Sequence, residues 1–203
     1  IDMTRIENGY YELKLGNHDI VSVVEDITLS VAQYIEGKGI DLIFDTNCEE
    51  HIIACDPEKI ERILLNLLSN SIKYTKENGS IYVNLAVDEN DVNVSVRDDG
   101  EGISKEKLPI IFNRFVQGDS TLTRTCEGSG IGLSLVKSLV EMHDGKIKVN
   151  SEEGIGTNFE FCLPNKITTY PEDKLNISYI SENNKIEMCN IEFSDIYGMP
   201  HVK

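Results

Sequence analysis

The chain has 203 residues, 40% of them hydrophobic, and a formal net charge of −16. That length suits one buried core plus an appendage, and the acidic balance argues against non-specific contact with nucleic acid or anionic lipid, which both need a basic surface. No apolar run approaches the ~20 residues of a membrane span, and the opening Ile1-Asp2-Met3-Thr4-Arg5 lacks the basic-then-apolar order of a signal peptide, so the chain reads as cytoplasmic.

Residues 1–9 are expected to finish a helix begun upstream, with Gly9 and the pair Gly16-Asn17 marking turns. Asp19 is placed to cap a helix carrying Ile20, Val23, Val24, Ile27, Val31, Tyr34 and Ile35, which Gly37 and Gly39 end. Two short strand-like runs follow over residues 41–45 and 52–55. Asp56-Pro57 is a strong helix start, because Asp accepts from free N–H groups and Pro needs no donor in the first turn. On that helix Ile60, Ile63, Leu64, Leu67 and Leu68 repeat at helical spacing, while Asn66, Asn70 and Lys73 fall at i, i+4 and i+7 on a different face. Amides that lose water without gaining a partner cost free energy, so a polar stripe beside a core is either a solvated face or a ligand face. The candidate ligand is a phosphate with its metal.

A hairpin comes next: Ile81, Val83, Leu85 and Val87 alternate, residues 88–91 turn, and Val92, Val94 and Val96 alternate back. Asp98-Asp99-Gly100-Glu101-Gly102 follows the second strand directly. An ionised carboxylate there accepts from the exocyclic amine of adenine and repels the guanine oxygen; the bland alternative is a generic Asp-Gly turn. Residues 104–112 form a short helix or turn, and 117–127 are polar with little periodicity. Gly128, Gly130 and Gly132 open a helix carrying Leu133, Leu135, Val136, Leu139, Val140 and Met142, and glycines before a helix N-terminus let a backbone approach an anion. A dinucleotide-binding reading would need a strand immediately before those glycines, where this chain has a polar loop. Two strands, 146–149 and 157–162, close the domain around Gly154 and Gly156. The five cysteines include no C-x-x-C pair, which favours free thiols over zinc or disulfides. The segment 166–203 is polar and acidic and is expected to be a largely flexible tail.

Taken together, Asn66-Leu67-Leu68-x-Asn70-x-x-Lys73-Tyr74, Asp98-x-Gly100-x-Gly102-Ile103, Ile111-Phe112-x-Arg114-Phe115 and Gly128-x-Gly130-x-Gly132-Leu133 resemble the N, first glycine, F and second glycine boxes of sensor histidine kinases. The resemblance covers roughly residues 10–164 and implies a two-layer α/β sandwich on a mixed sheet. This is the Bergerat (GHKL ATPase/kinase) fold, shared with gyrase-type ATPases, heat-shock chaperones and mismatch-repair ATPases. It implies that residues 10–165 are the ATP-binding catalytic domain, residues 1–9 the end of an upstream dimerisation region, and 166–203 a tail. Carried over by position, Asn70 ligates Mg²⁺, Lys73 contacts phosphate, Tyr74 lies against the adenine, and Asp98 reads its amine. Gly100, Gly102 and Ile103 shape that wall, to which Thr157 also belongs. Arg114 approaches the γ-phosphate, the lid 117–127 is hinged on Gly128, Gly130 and Gly132, and these glycines with Ser129, Ile131 and Leu133 bind the nucleotide.

Asn66 separates the family's branches. In the hydrolytic relatives that place is typically a Glu that activates water, whereas an amide is no base at neutral pH; Glu61 lies too far along the helix to replace it. The resemblance therefore implies an enzyme that holds Mg·ATP, with Asn66, Asn70 and Arg114 as the catalytic set, and donates the γ-phosphoryl group to a histidine on the parent kinase's dimerisation domain. A response regulator acts downstream, and the isolated chain is expected to be a monomer. His18, His51, His143 and His201 all lie in or after the ATP domain, so self-labelling is not expected. A GHKL-type ATPase and a non-transferring nucleotide-binding module remain open alternatives.

Overall fold

A computed structural model describes residues 12–114 and 131–169. Alternation drives the main sheet. Strand β4 (Ser80–Val87) buries Ile81, Val83 and Leu85, and β5 (Asp91–Asp98) buries Val92, Val94 and Val96. The last strand, β7 (Gly156–Pro164), buries Phe159, Phe161 and Leu163. These faces point one way and form a single cluster with the helices. The other face carries Tyr82, Ser95, Arg97 and Glu160, with Arg97 over the Tyr82 ring at 5.8 Å and Lys148 Nζ on Glu160 at 2.7 Å. With β2 (Asp41–Thr46) and β6 (Lys146–Glu152) at the edges, the strand order is β2-β4-β5-β7-β6; β2 runs parallel to β4 and the rest are antiparallel. The result is the expected layer of helices on one face of a mixed sheet.

A separate antiparallel pair joins β1 (Gly16–Asp19) to β3 (Ile52–Cys55). The turn expected at Gly16-Asn17 is therefore a strand, because pairing with Cys55 and Ala54 overrides the local Gly-Asn preference. Asp19 caps α1 (Ile20–Ser30) by accepting from Val21 N at 3.2 Å. The single helix expected to Gly37 is interrupted at Val31, and α2 (Ala32–Glu36) continues it. Just before the break Thr28 Oγ1 and Ser30 Oγ donate to the Val24 and Ile27 carbonyls, which is local competition for the helical ladder.

Helix α3 (Pro57–Tyr74) starts where expected: Asp56 Oδ1 accepts from Glu58 N at 3.1 Å and Lys59 N at 3.4 Å, and its Oδ2 accepts from Lys14 N at 2.8 Å. Residues 104–113 form successive turns, docked by Phe112 edge-on to Phe159 at 6.2 Å. Helix α4 (Gly132–Met142) ends at His143, whose buried ring accepts from Asp56 N at 3.2 Å through Nε2. Its Nδ1–H donates to Leu139 O at 2.8 Å. Residues 165–168, assigned from sequence largely to the tail, are bonded to the domain: Ala54 N donates to Lys166 O at 2.7 Å, and the Asn17 amide makes two bonds with the Thr168 backbone at 2.8 and 3.1 Å. No helix among the described residues is long and apolar enough to cross a membrane.

The His143 bonds require a neutral ring. Protonation would turn Nε2 into a second N–H facing that of Asp56. Burial pushes this imidazole below its usual value of 6.5, against the smaller opposing pull of the Leu139 carbonyl and Asp56. The stability from the neutral ring is thus complete above the unfolded-state value and is lost as pH falls below it toward the native one. Burial shifts His18 in the same direction, while the buried carboxyl of Asp98 is shifted upward and acts with the opposite sign. Denaturant titrations should therefore show the chain losing His143-linked stability as pH falls below the imidazole's usual value of 6.5. His143→Asn should flatten that slope; an unchanged slope would show that the ring is not held neutral.

Candidate functional site

The polar stripe lies along the second half of α3. Asn66 is 7% exposed; its Nδ2 donates to Arg62 O at 3.4 Å, and a Cβ on Gly132 would overlap its Oδ1. Glycine at the head of α4 therefore leaves room for this amide in the place it occupies. One turn later Asn70 is half-buried, and its amide is engaged by no other described residue. Lys73 Nζ stands 5.4 Å from the centre of the Tyr74 ring, which is 43% exposed. Arg114 is exposed and ends the first described stretch.

Asp98 closes β5 and is 5% exposed. Its Oδ2 accepts from Ser71 Oγ at 3.0 Å, its Oδ1 accepts from Gly100 N at 3.1 Å, and the Thr157 backbone supplies a third donor from the paired position on β7. Burial pushes this carboxyl above the usual carboxylate range, the three donors pull it back, and neighbouring Asp99 adds a smaller upward push. Ser71 is absent from the sequence-derived set. The signal that could have found it is a hydroxyl on a helix face otherwise filled by Leu64, Leu67, Leu68 and Ile72.

The loop after Asp98 is held on two sides. Glu101 N donates to Tyr74 O at 3.1 Å, and a Cβ on Gly100 would overlap that same carbonyl. On the other side Gly154 N donates to Glu101 O at 2.7 Å. Gly102 has φ +70°, and a Cβ there would overlap Glu152 O. Ser151, also unforeseen, is the hub: its Oγ accepts from Ile103 N at 2.8 Å, donates to Gly156 O at 2.8 Å and contacts Thr157 Oγ1 at 2.9 Å. The structure thus brings Asp98, Gly100, Gly102, Ile103 and Thr157 into one wall and sets the Tyr74 backbone against it.

Helix α4 begins after Ile131, which has no side-chain cap to offer its first turn; the Ile131 carbonyl accepts from Leu135 N at 3.0 Å and Ser134 Oγ at 2.8 Å. The N–H groups of Gly132 and Leu133 thus open the helix beside Asn66. Gly128, Ser129, Gly130, Phe115 and the segment 117–127 expected to be a lid lie outside the described residues. A shallow acidic depression lined by Glu25, Phe44, Asp45 and Glu49 shares no residue with this site.

Residues 55–167 match the family described as histidine kinase-, DNA gyrase B-, and HSP90-like ATPase. The autoinducer 2 sensor kinase/phosphatase LuxQ of Vibrio cholerae is 38% identical over 177 residues, covering 85% of this chain and 20% of that protein. The non-motile and phage-resistance protein of Caulobacter vibrioides is 39% identical over 168 residues, with 81% and 20% covered. The chain thus spans about a fifth of the length of these curated relatives. Among solved structures, the catalytic domain of histidine kinase ThkA has a TM-score of 0.67 at 27% identity, covering 76% of this chain and 99% of that one. Full-length ShkA in complex with AMPPNP has a TM-score of 0.72 at 28% identity, covering 83% of this chain and 35% of that one. A match over residues 55–167 and a fold shared with a complete kinase catalytic domain lead to one conclusion: the chain belongs to the histidine kinase-, DNA gyrase B- and HSP90-like ATPase family and carries the Bergerat-fold catalytic, ATP-binding domain of a histidine kinase.

Proposed function

We propose that this chain binds Mg·ATP and donates its γ-phosphoryl group to a histidine on a separate dimerisation domain of the same parent kinase, for onward transfer to a response regulator. Asn66 carries the reading. Its amide is buried against Gly132 at the head of α4, and an amide cannot draw a proton from water. Glu61 is also on α3, but it is 1% exposed and five positions earlier. ThkA has been solved in complex with the response regulator protein TrrA, at 25% identity and a TM-score of 0.66, which supports the downstream partner.

The donor set suits one hard cation shared with phosphate. No group of three His, Cys, Asp or Glu able to hold a metal occurs among the described residues, while Asn70 offers a half-buried amide oxygen that no described residue engages. Asn70 would hold Mg²⁺, and the ion when bound supplies charge neutralisation across the phosphate oxygens. Lys73, Arg114 and the N–H groups of Gly132 and Leu133 add fixed positive potential, which an acidic chain needs at this one place. Asp98 accepts from the base amine, and Gly100 and Gly102 keep the wall close to it. In the transfer the bond from γ-phosphorus to the bridging oxygen breaks, a bond to the acceptor imidazole nitrogen forms, and ADP leaves.

Two of the described histidines support an external acceptor: His143 has both nitrogens engaged, and His51 Nε2 meets Asn165 Oδ1 at 2.7 Å. Incubation with γ-labelled ATP should leave the chain blank and label a separately supplied histidine-bearing hairpin. Label on the isolated chain, or steady phosphate release in place of transfer, would overturn the assignment. Asn70→Ala should weaken Mg-dependent ATP binding by about tenfold, the scale of one lost charge-assisted contact. Calorimetry with and without EDTA reads this, and an unchanged metal dependence would remove Asn70 as the ligand. Asp98→Asn should reduce the preference for ATP over GTP in competition titrations by tenfold or more, on the order expected when a site's buried acceptor is lost.

A further inference from the structure

We propose that Ser71 is a positioning residue that determines purine specificity: its hydroxyl fixes Asp98 as a hydrogen-bond acceptor, so that the site takes a base bearing an exocyclic amine and rejects one bearing a carbonyl there. This inference rests on the reading of Asp98 as the base contact.

Ser71 is 1% exposed on α3, beside Leu67, Leu68 and Ile72. Nothing in the packing of that face requires a hydroxyl. A helical serine commonly turns its hydroxyl back to the carbonyl four residues earlier. Here it donates instead to Asp98 Oδ2 at 3.0 Å, from a helix to a strand 27 positions later. The last turn of α3 is itself pinned, since Thr75 Oγ1 donates to Ser71 O at 2.7 Å.

Geometry makes this bond selective. Oδ1 is held by Gly100 N–H, Thr157 contributes a backbone donor, and Oδ2 takes Ser71. Donors on both oxygens favour the ionised carboxylate, which only accepts. Without them a buried carboxyl tends to the neutral form, whose O–H would donate to a guanine oxygen. Ser71 supplies the side-chain member of the donor set; the Gly100 and Thr157 donors are backbone and survive substitution. It therefore adds to the hold on the ionised form and fixes the rotamer that the base meets, without touching the base.

The test is titration of Mg·ATP and of Mg·GTP against the full chain, with thermal melts to confirm that each variant is folded. Ser71→Ala and Ser71→Val should each lower the ATP-over-GTP ratio about tenfold, as expected for losing a hydrogen bond to a charged group. Ser71→Thr, which keeps the donor at the volume of valine, should retain the ratio. An unchanged ratio in Ser71→Ala, or an equal loss in the Thr and Val variants, overturns the proposal. Asp98→Asn separates the two levels. If it leaves the ratio unchanged, the base-contact reading fails and this inference with it; if it lowers the ratio while Ser71→Ala does not, only the role of Ser71 fails.

Discussion

Asp98 loses nearly all its water where β5 ends, and α3, the following loop and β7 each replace part of it with one donor. A carboxylate so buried is costly unless its oxygens are bonded, so the three elements are constrained relative to one another rather than merely adjacent. The β5–β7 register sets Thr157 opposite Asp98, and the glycines at 100, 102 and 156 remove the side chains that would hold these backbones apart. Gly156 shows the tolerance: at φ +142° it lies against the Asp98 carbonyl, where a Cβ would overlap. The wall after Asp98 and the sheet terminus are one construction.

Helix α3 transmits that construction across the molecule. Its first turn is tied through Asp56 to Lys14 and His143, its middle meets Gly132 at Asn66, and its last carbonyls receive Glu101. The amide stripe is therefore neither a freely solvated face nor part of the apolar core. It is a row graded from buried Asn66 to exposed Tyr74, at the seam where α4 begins.

What could be read from the sequence followed strong local signals. Asp56-Pro57 marked the start of α3, the alternation in 81–87 and 92–96 marked the hairpin, and the polar residues at i, i+4 and i+7 marked the stripe. What escaped was set by distant partners. Gly16 and Asn17 form a strand because residues 54 and 55 pair with them, and no local preference announces that. Ser71, Ser151 and His143 escaped for a related reason: a lone hydroxyl or imidazole inside an apolar stretch has no period, and its meaning comes from what it faces across the fold. The glycines were legible as loops, but their individual reasons, a Tyr74 carbonyl here and a Glu152 carbonyl there, needed the packing.

The two bonds between the Asn17 amide and the Thr168 backbone bring the incoming and outgoing polypeptide to the same side of β3. In the register of the small sheet Asn17 lies opposite Ala54, a side chain small enough for the amide to pass over. A tensile load applied between the segments before and after the domain would therefore meet this clasp, the Lys14–Asp56 bond and the β1–β3 pair before it reached the five-stranded sheet.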